Sequence, residues 1–175
     1  AMDRFCENFK LLPESVSSRL TIENDDKESM YSVKELYNGI YNRIGVPIVF
    51  DYHHHRFCDG GLSEQDALEL AMSTWPESIT PATHYSESRS IEKEDVKIRP
   101  TAHSDYIYDK IETYGNDIDI MVEAKKKEMA VARYLNFIVD RIKSIYFCFG
   151  INDILKKELK RITLEGEKNG RNKKE

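Results

Sequence analysis

Four short stretches end in side chains that could hold metal ions. Glu23 closes "SRLTIE" and is followed by Asn24-Asp25-Asp26. Asp51 closes "VPIVFD", with His53, His54 and His55 just beyond Tyr52. His84 closes "SITPATH", and Glu123 closes "DIDIMVE" with Lys125 two residues on. Carboxylates gathered in one place repel and raise each other's pKa unless cations sit between them. Bridging carboxylates with imidazoles completing each shell suit Mn²⁺, Zn²⁺ or iron. Two or three such ions can polarise a phosphodiester, lower the pKa of a bound water and stabilise a leaving alkoxide.

Each residue also has a plainer reading. Glu23 or Asp51 could cap a helix or form a salt bridge, and His84 could be an ordinary core or surface histidine. Lys125 could be no more than the exposed start of a helix, and His103 lies in a long polar loop where composition favours the plain reading. His54 stands three residues after a strand-end aspartate, and that spacing favours ligation. Three adjacent side chains do not easily face one centre, so His53 and His55 stand between ligand and support. The histidine run is internal and follows a strand, which argues against an expression tag.

These residues must be positioned by the elements before them. "MYSVKELYNGIYNRIG" places Val33, Leu36, Tyr37, Ile40, Tyr41 and Ile44 on one apolar stripe at helical spacing. Ser32 with Glu35 predicts a capping box, and Gly45 a stop. "VPIVFD", Val46 to Asp51, reads as a strand buried on both faces. Gly60-Gly61 break the chain, and Ser63 with Asp66 opens a helix carrying Leu68, Ala71, Met72 and Trp75. Residues 85–106 read as an extended loop, and 106–114 as containing a short helix ending at Gly115. A long helix follows Glu123, and an earlier one carries Phe5, Phe9 and Leu12. Strands alternating with helices predict an α/β fold with a parallel sheet. Ligands in such folds bind outside the carboxyl ends of the strands, so all four strand ends share one rim. A complete (β/α)8 TIM barrel takes about 250 residues, and four βα units are roughly half of one.

The chain has 175 residues, 40% of them hydrophobic, and a net charge of −5. That predicts a soluble globular domain with a sizeable core. The acidic balance argues against a non-specific nucleic-acid coat, while leaving room for a nuclease whose carboxylates are neutralised by cations. No apolar run approaches the roughly 20 residues needed to span a bilayer. Ala1-Met2 reads as a scar or cut point, with no secretory signal. Cys6, Cys58 and Cys148 are odd in number and widely spaced, which predicts reduced thiols in an intracellular protein. Cys58, near the histidines, is either a ligand or a free thiol. The expected domain is 1–155, with 156–175 a basic, frayed tail.

The blocks "RLTIENDD", "PIVFDYHHH", "THYSESR", "AHSDYI" and "DIDIMVEAKKKEMA" together resemble the C-terminal half of the UV damage endonuclease (UvdE) family, from about Arg4 to Leu135. Any single block is weak, whereas five in order are specific. The resemblance implies a TIM barrel of the xylose-isomerase-like group that nicks damaged double-stranded DNA 5′ to photoproducts, in the cytoplasm at the nucleoid. It implies a metal cluster, normally Mn²⁺, with Zn²⁺ or Mg²⁺ as alternatives. Glu23 would bridge, Asp51 would be a second carboxylate ligand, and His54, His84, His103 and Glu123 would complete the set. Lys125 falls in the family's E-A-K block, where it would contact phosphate; with Glu23, Asp51 and Glu123 it forms the expected catalytic group.

There are two departures from the family. The family's carboxylatable lysine, two residues before the third strand's histidine, is Ala82 here. The N-terminal half, with further histidine ligands and the residues that probe damaged bases, has no counterpart in this chain. Four parallel strands leave two open edges and a bare inner face. The expected partner is therefore a missing N-terminal half or a second copy. Two other functions fit the same residues: a xylose-isomerase-like sugar enzyme, or a catalytically silent metal- or DNA-binding remnant.

Overall fold

A computed structural model describes residues 1–92 and 97–148, with side chains of the last helix described as far as 139. The expected tail at 156–175 and the Cys148 thiol lie outside the described residues. The chain divides into two compact units, Ala1–Tyr134 and Leu135–Glu175. In the second, the described part is the continuation of a helix to Cys148.

The first unit opens with α1 (Met2–Phe9) and α2 (Glu14–Ser17), followed by β1 (Ile22–Glu23). Helix α3 (Val33–Leu36) passes through a π-helical turn (Tyr37–Tyr41) into α4 (Asn42–Ile44). Its start is the expected capping box: the Glu35 amide donates to Ser32 Oγ, and the Ser32 amide donates to Glu35 Oε2. Its end is Gly45, left-handed at φ 69°. Next come β2 (Ile48–Asp51), α5 (Tyr52–His55), α6 (Glu64–Met72), β3 (Ala82–Tyr85), a 3₁₀ turn (Arg89–Ile91), β4 (Asp119–Val122) and α7 (Glu128–Cys148). Helix α6 begins as expected, with the Asp66 amide donating to Ser63 Oγ. Trp75 falls beyond its end and donates its indole N–H to the Ile48 carbonyl.

All strand pairs are parallel, in the order β1-β2-β3-β4. Because side chains alternate across a strand, the register sorts them onto two faces. Ile22, Ile48, Phe50, Tyr85, Ile120 and Val122 pack into the core with Leu36, Ile40, Leu68 and Ala71. The opposite face carries Glu23 beside Val49, Asp51 beside His84, and Ala82 beside Asp119. Met121, next to His84 in register, is 60% exposed. No helix among the described residues is long and apolar enough to cross a membrane.

Two expectations need correction. The third strand begins at Ala82, because Pro81 has no N–H to donate, and it runs one residue past His84 to Tyr85. Residues 106–114 contain no helix. Their backbone is claimed by side chains from elsewhere. The amides of Tyr108 and Asp109 donate to the buried Glu87 carboxylate, Ile111 N–H donates to Tyr134 Oη, and Tyr52 Oη donates to the Glu112 carbonyl. Those bonds hold a loop that helical hydrogen bonding would break.

Gly60 is left-handed at φ +61°, and an added Cβ would collide with Ser32 Oγ in the α3 cap. Gly61 is also left-handed, at φ +77°, but faces open space. Gly61→Ala should therefore show backbone strain alone, about 1–3 kcal/mol. Gly60→Ala should lose more, and urea unfolding of the two variants side by side measures the Ser32 collision as the difference.

Candidate metal centre

The histidine run forms one helical turn. Asp51 ends β2 in extended conformation, and its Oδ1 accepts the His54 amide at 2.8 Å, capping α5. Successive side chains on a helix diverge by about 100°, so the three rings point three ways. His54 turns toward Glu23, with Nδ1 3.1 Å from Oε1. His53 is buried edge-on to Phe57 and His103, at centroid distances of 5.2 and 5.5 Å. His55 packs on Phe50 at 5.3 Å, on the core side. Burial keeps both supporting histidines uncharged, pushing His53 down to about 4 and His55 below its usual value.

Glu23 lies between two imidazoles, with Oε2 3.1 Å from His84 Nδ1. His84 Nδ1 is also 3.6 Å from Glu123 Oε1. Two groups of donors have atoms within 4.8 Å of one another: Glu23 with Asp51 and His54, and Asp51 with His84 and Glu123. Asp51 belongs to both. The sequence-predicted Glu23, Asp51, His54, His84 and Glu123 thus converge at the carboxyl ends of four strands.

His103 stands at the margin of this cluster. Its Nδ1 donates to the Glu123 carbonyl at 2.8 Å and lies 3.8 Å from Glu123 Oε2, but it joins neither group of three. Lys125 is exposed, and its amide donates to the Ser104 carbonyl. Cys58 is a free thiol outside both groups. Sequence reasoning passed over Asn24, which is buried between β1 and β2, and Glu87, which is buried under the His103 loop. Asn24 adjoins Glu23, and that adjacency was the only signal for it in the sequence.

The electrostatics fit a cation site. Burial pushes Asp51 up to about 6; the His54 amide and charge oppose this, while the Glu23 and Glu123 carboxylates add to it. Burial also acts upward on Glu23, but the His54 and His84 imidazoles, each 3.1 Å away, outweigh it and bring Glu23 down to about 2. Burial acts downward on His54, yet Glu23 and Asp51 raise it to about 9. Asp51 Oδ2 is buried without a hydrogen-bond partner, and His84 Nδ1 lies near Glu23 Oε2 without hydrogen-bond alignment. Three carboxylates, two imidazoles and these unsatisfied atoms suit Mn²⁺ or Zn²⁺.

A pH dependence follows. Glu23 contributes stability above its ordinary 4.5, lost as pH falls toward 2. The raised His54 contributes fully below 6.5, and that contribution is lost as pH rises through 9. Asp51, raised from 3.8 to about 6, weakens the fold as it ionises across that range. The metal-free chain should therefore melt lower as pH rises from 6 toward 9. A cation must displace the His54 proton, so Mn²⁺ should raise the melting temperature more at pH 8 than at pH 6. Thermal melts in EDTA and in Mn²⁺ at both pH values check the sign.

A family model described as UV-endonuclease UvdE matches residues 1–159. The UV DNA damage endonuclease of Bacillus pumilus (strain SAFR-032) is 36% identical over 143 residues, covering 76% of this chain and 42% of that protein. The UV-damage endonuclease of Schizosaccharomyces pombe is 35% identical over 136 residues, covering 74% and 22%. The crystal structure of SacUVDE superposes with a TM-score of 0.61 at 35% identity, covering 77% of this chain and 46% of that one. The chain spans less than half the length of these relatives.

Proposed function

The chain belongs to the UV-endonuclease UvdE family, and from that premise we propose that it forms the carboxyl-terminal portion of a metal-dependent endonuclease acting on ultraviolet-damaged DNA. The observation that carries this reading is Asp51, a fully buried carboxylate shared by two donor groups. Glu23, within 3.1 Å of both histidines, would be a second bridging ligand. His54 would hold one ion, and His84 with Glu123 would hold the other. His103 adds a donor at the margin, and the exposed Lys125 offers a phosphate contact. Bound Mn²⁺ would supply Lewis acidity toward a phosphodiester. The protein's own part is to hold the carboxylates apart from bulk water, to keep His53 neutral behind them, and to present the strand-end rim to the backbone of the duplex.

The β1 and β4 edges, and the inner face around Met121, 60% exposed, need a covering layer. The remainder of the family's length supplies it in this reading, as a further polypeptide segment or by pairing of two copies into a TIM-barrel-like whole. The active protein would be intracellular, with residues 1–155 as its domain and 156–175 as a tail. Ala82 sits on the inner face two residues before His84, where the resemblance expects a lysine, and this favours a slower or silent centre as the second reading.

The test is nicking of supercoiled plasmid, irradiated and unirradiated, with Mn²⁺. Damage-dependent nicking supports the endonuclease. Mn²⁺ binding without nicking supports the silent reading, and equal nicking of both plasmids removes damage recognition.

A further inference from the structure

Resting on the metal-centre reading above, we propose that Asn24 is a positioning residue that sets the spacing between the Glu23 and Asp51 carboxylates. Strand β1 is only two residues long, and its ladder to β2 ends at Glu23 beside Val49. Nothing in that ladder reaches Asp51. The Asn24 side chain does: Nδ2 donates to the Asp51 carbonyl at 3.0 Å, and the Asp51 amide donates to Oδ1 at 2.9 Å. One planar amide thus takes both backbone groups of the bridging aspartate. The Asn24 backbone carbonyl meets His54 Nδ1 at 2.8 Å. A single residue, 1% exposed, therefore ties the strand ends of Glu23 and Asp51 and the ring of His54.

The chemistry of the pair is demanding. It needs a donor and an acceptor on one short rigid group. Aspartate keeps the acceptor and loses the donor, alanine loses both, and glutamine is one methylene too long. A shift of either carboxylate would leave the two donor groups without the residue they share. Asn24 itself offers the ions nothing, since both side-chain polar atoms are occupied by Asp51.

The experiment titrates Mn²⁺ into the 175-residue chain and follows affinity by calorimetry and spin coupling by electron paramagnetic resonance. The wild type is compared with Asn24→Ala, Asn24→Asp and Thr74→Val. Thr74 is the control: its Oγ1 accepts the Ile48 amide, so it braces the same strand at the end away from the ions. Asn24→Ala and Asn24→Asp should bind Mn²⁺ about 10–100-fold more weakly, the range for outer-shell residues, and should lose the spin-coupled signal. Thr74→Val should keep that signal despite a lowered melting temperature. Aspartate adds a charge that attracts cations, so weakened binding there cannot be electrostatic; it also serves alone if the alanine variant does not fold. Wild-type affinity and an unchanged coupled signal in either folded Asn24 variant would overturn the proposal. Loss of the coupled signal in Thr74→Val as well would reduce Asn24 to a general structural role and overturn it equally. A wild type that binds no Mn²⁺ would remove the metal-centre reading itself, and the proposal with it.

Discussion

Asp51→Asn is expected to abolish Mn²⁺ binding at both donor groups while leaving the metal-free fold as stable as before, or more so. The two halves of this result have separate causes. Asparagine caps helices as well as aspartate does, so α5 keeps its cap at the His54 amide. The side chain is the same size and the site is fully buried, so packing is unchanged. What disappears is a charge that burial and the neighbouring Glu23 and Glu123 disfavour. Removing it relieves the metal-free protein above pH 6. The same charge is the one the two cations would share, and a neutral amide cannot serve both. Affinity should drop by at least about 100-fold, the upper end of outer-shell effects. At 100 times its dissociation constant a ligand adds about 2.7 kcal/mol to the folded state. The wild-type melt should therefore rise with Mn²⁺ and the variant's should not. A variant that still gains stability from Mn²⁺ would show that Asp51 is not a bridge.

The contrast between Asp51 and Asn24 shows what could be read from the chain beforehand. Strand ends carrying Glu23, Asp51 and Glu123 were legible because each closes an apolar run, and a run of that kind enters a parallel sheet. The capping signals at Ser32, Gly45 and Ser63 are local chemistry, fixed by neighbours three or four residues away, and they stand where expected. Asn24 was not legible, because its partners are 27 residues distant and its type is ordinary in a turn. The histidine run was ambiguous for a related reason. Only once Asp51 caps a helical turn do the three rings diverge and His54 alone face Glu23. The segment 106–114 was misread because its helical pattern is overridden by tertiary bonds, above all those to Glu87, from a residue about twenty positions away. What the sequence hides here is consistently the polar group that reaches across from another element.

Glu87→Ala should test that last point with a large effect on stability. The carboxylate is fully buried and accepts the amides of Tyr108 at 3.0 Å and Asp109 at 2.9 Å, with Tyr85 Oη at 3.3 Å. Truncation leaves these donors without an acceptor and creates a cavity. Each unsatisfied buried donor costs roughly 1–3 kcal/mol, so the fold should lose about 3 kcal/mol or more, a large share of a typical domain's 5–15. Glu87→Gln should lose less, since its carbonyl oxygen still accepts one amide. Neither change touches the two donor groups around Asp51. Mn²⁺ should still raise the melting temperature of both variants by nearly the wild-type increment, in opposition to Asp51→Asn. Hydrogen exchange should quicken at Tyr108 and Asp109 first, because those amides lose their acceptor, and at Ser104 next to His103. If exchange there were unchanged, the loop would be held by something other than Glu87. If Mn²⁺ stabilisation were lost as well, His103 would be a ligand whose place in the centre depends on that loop.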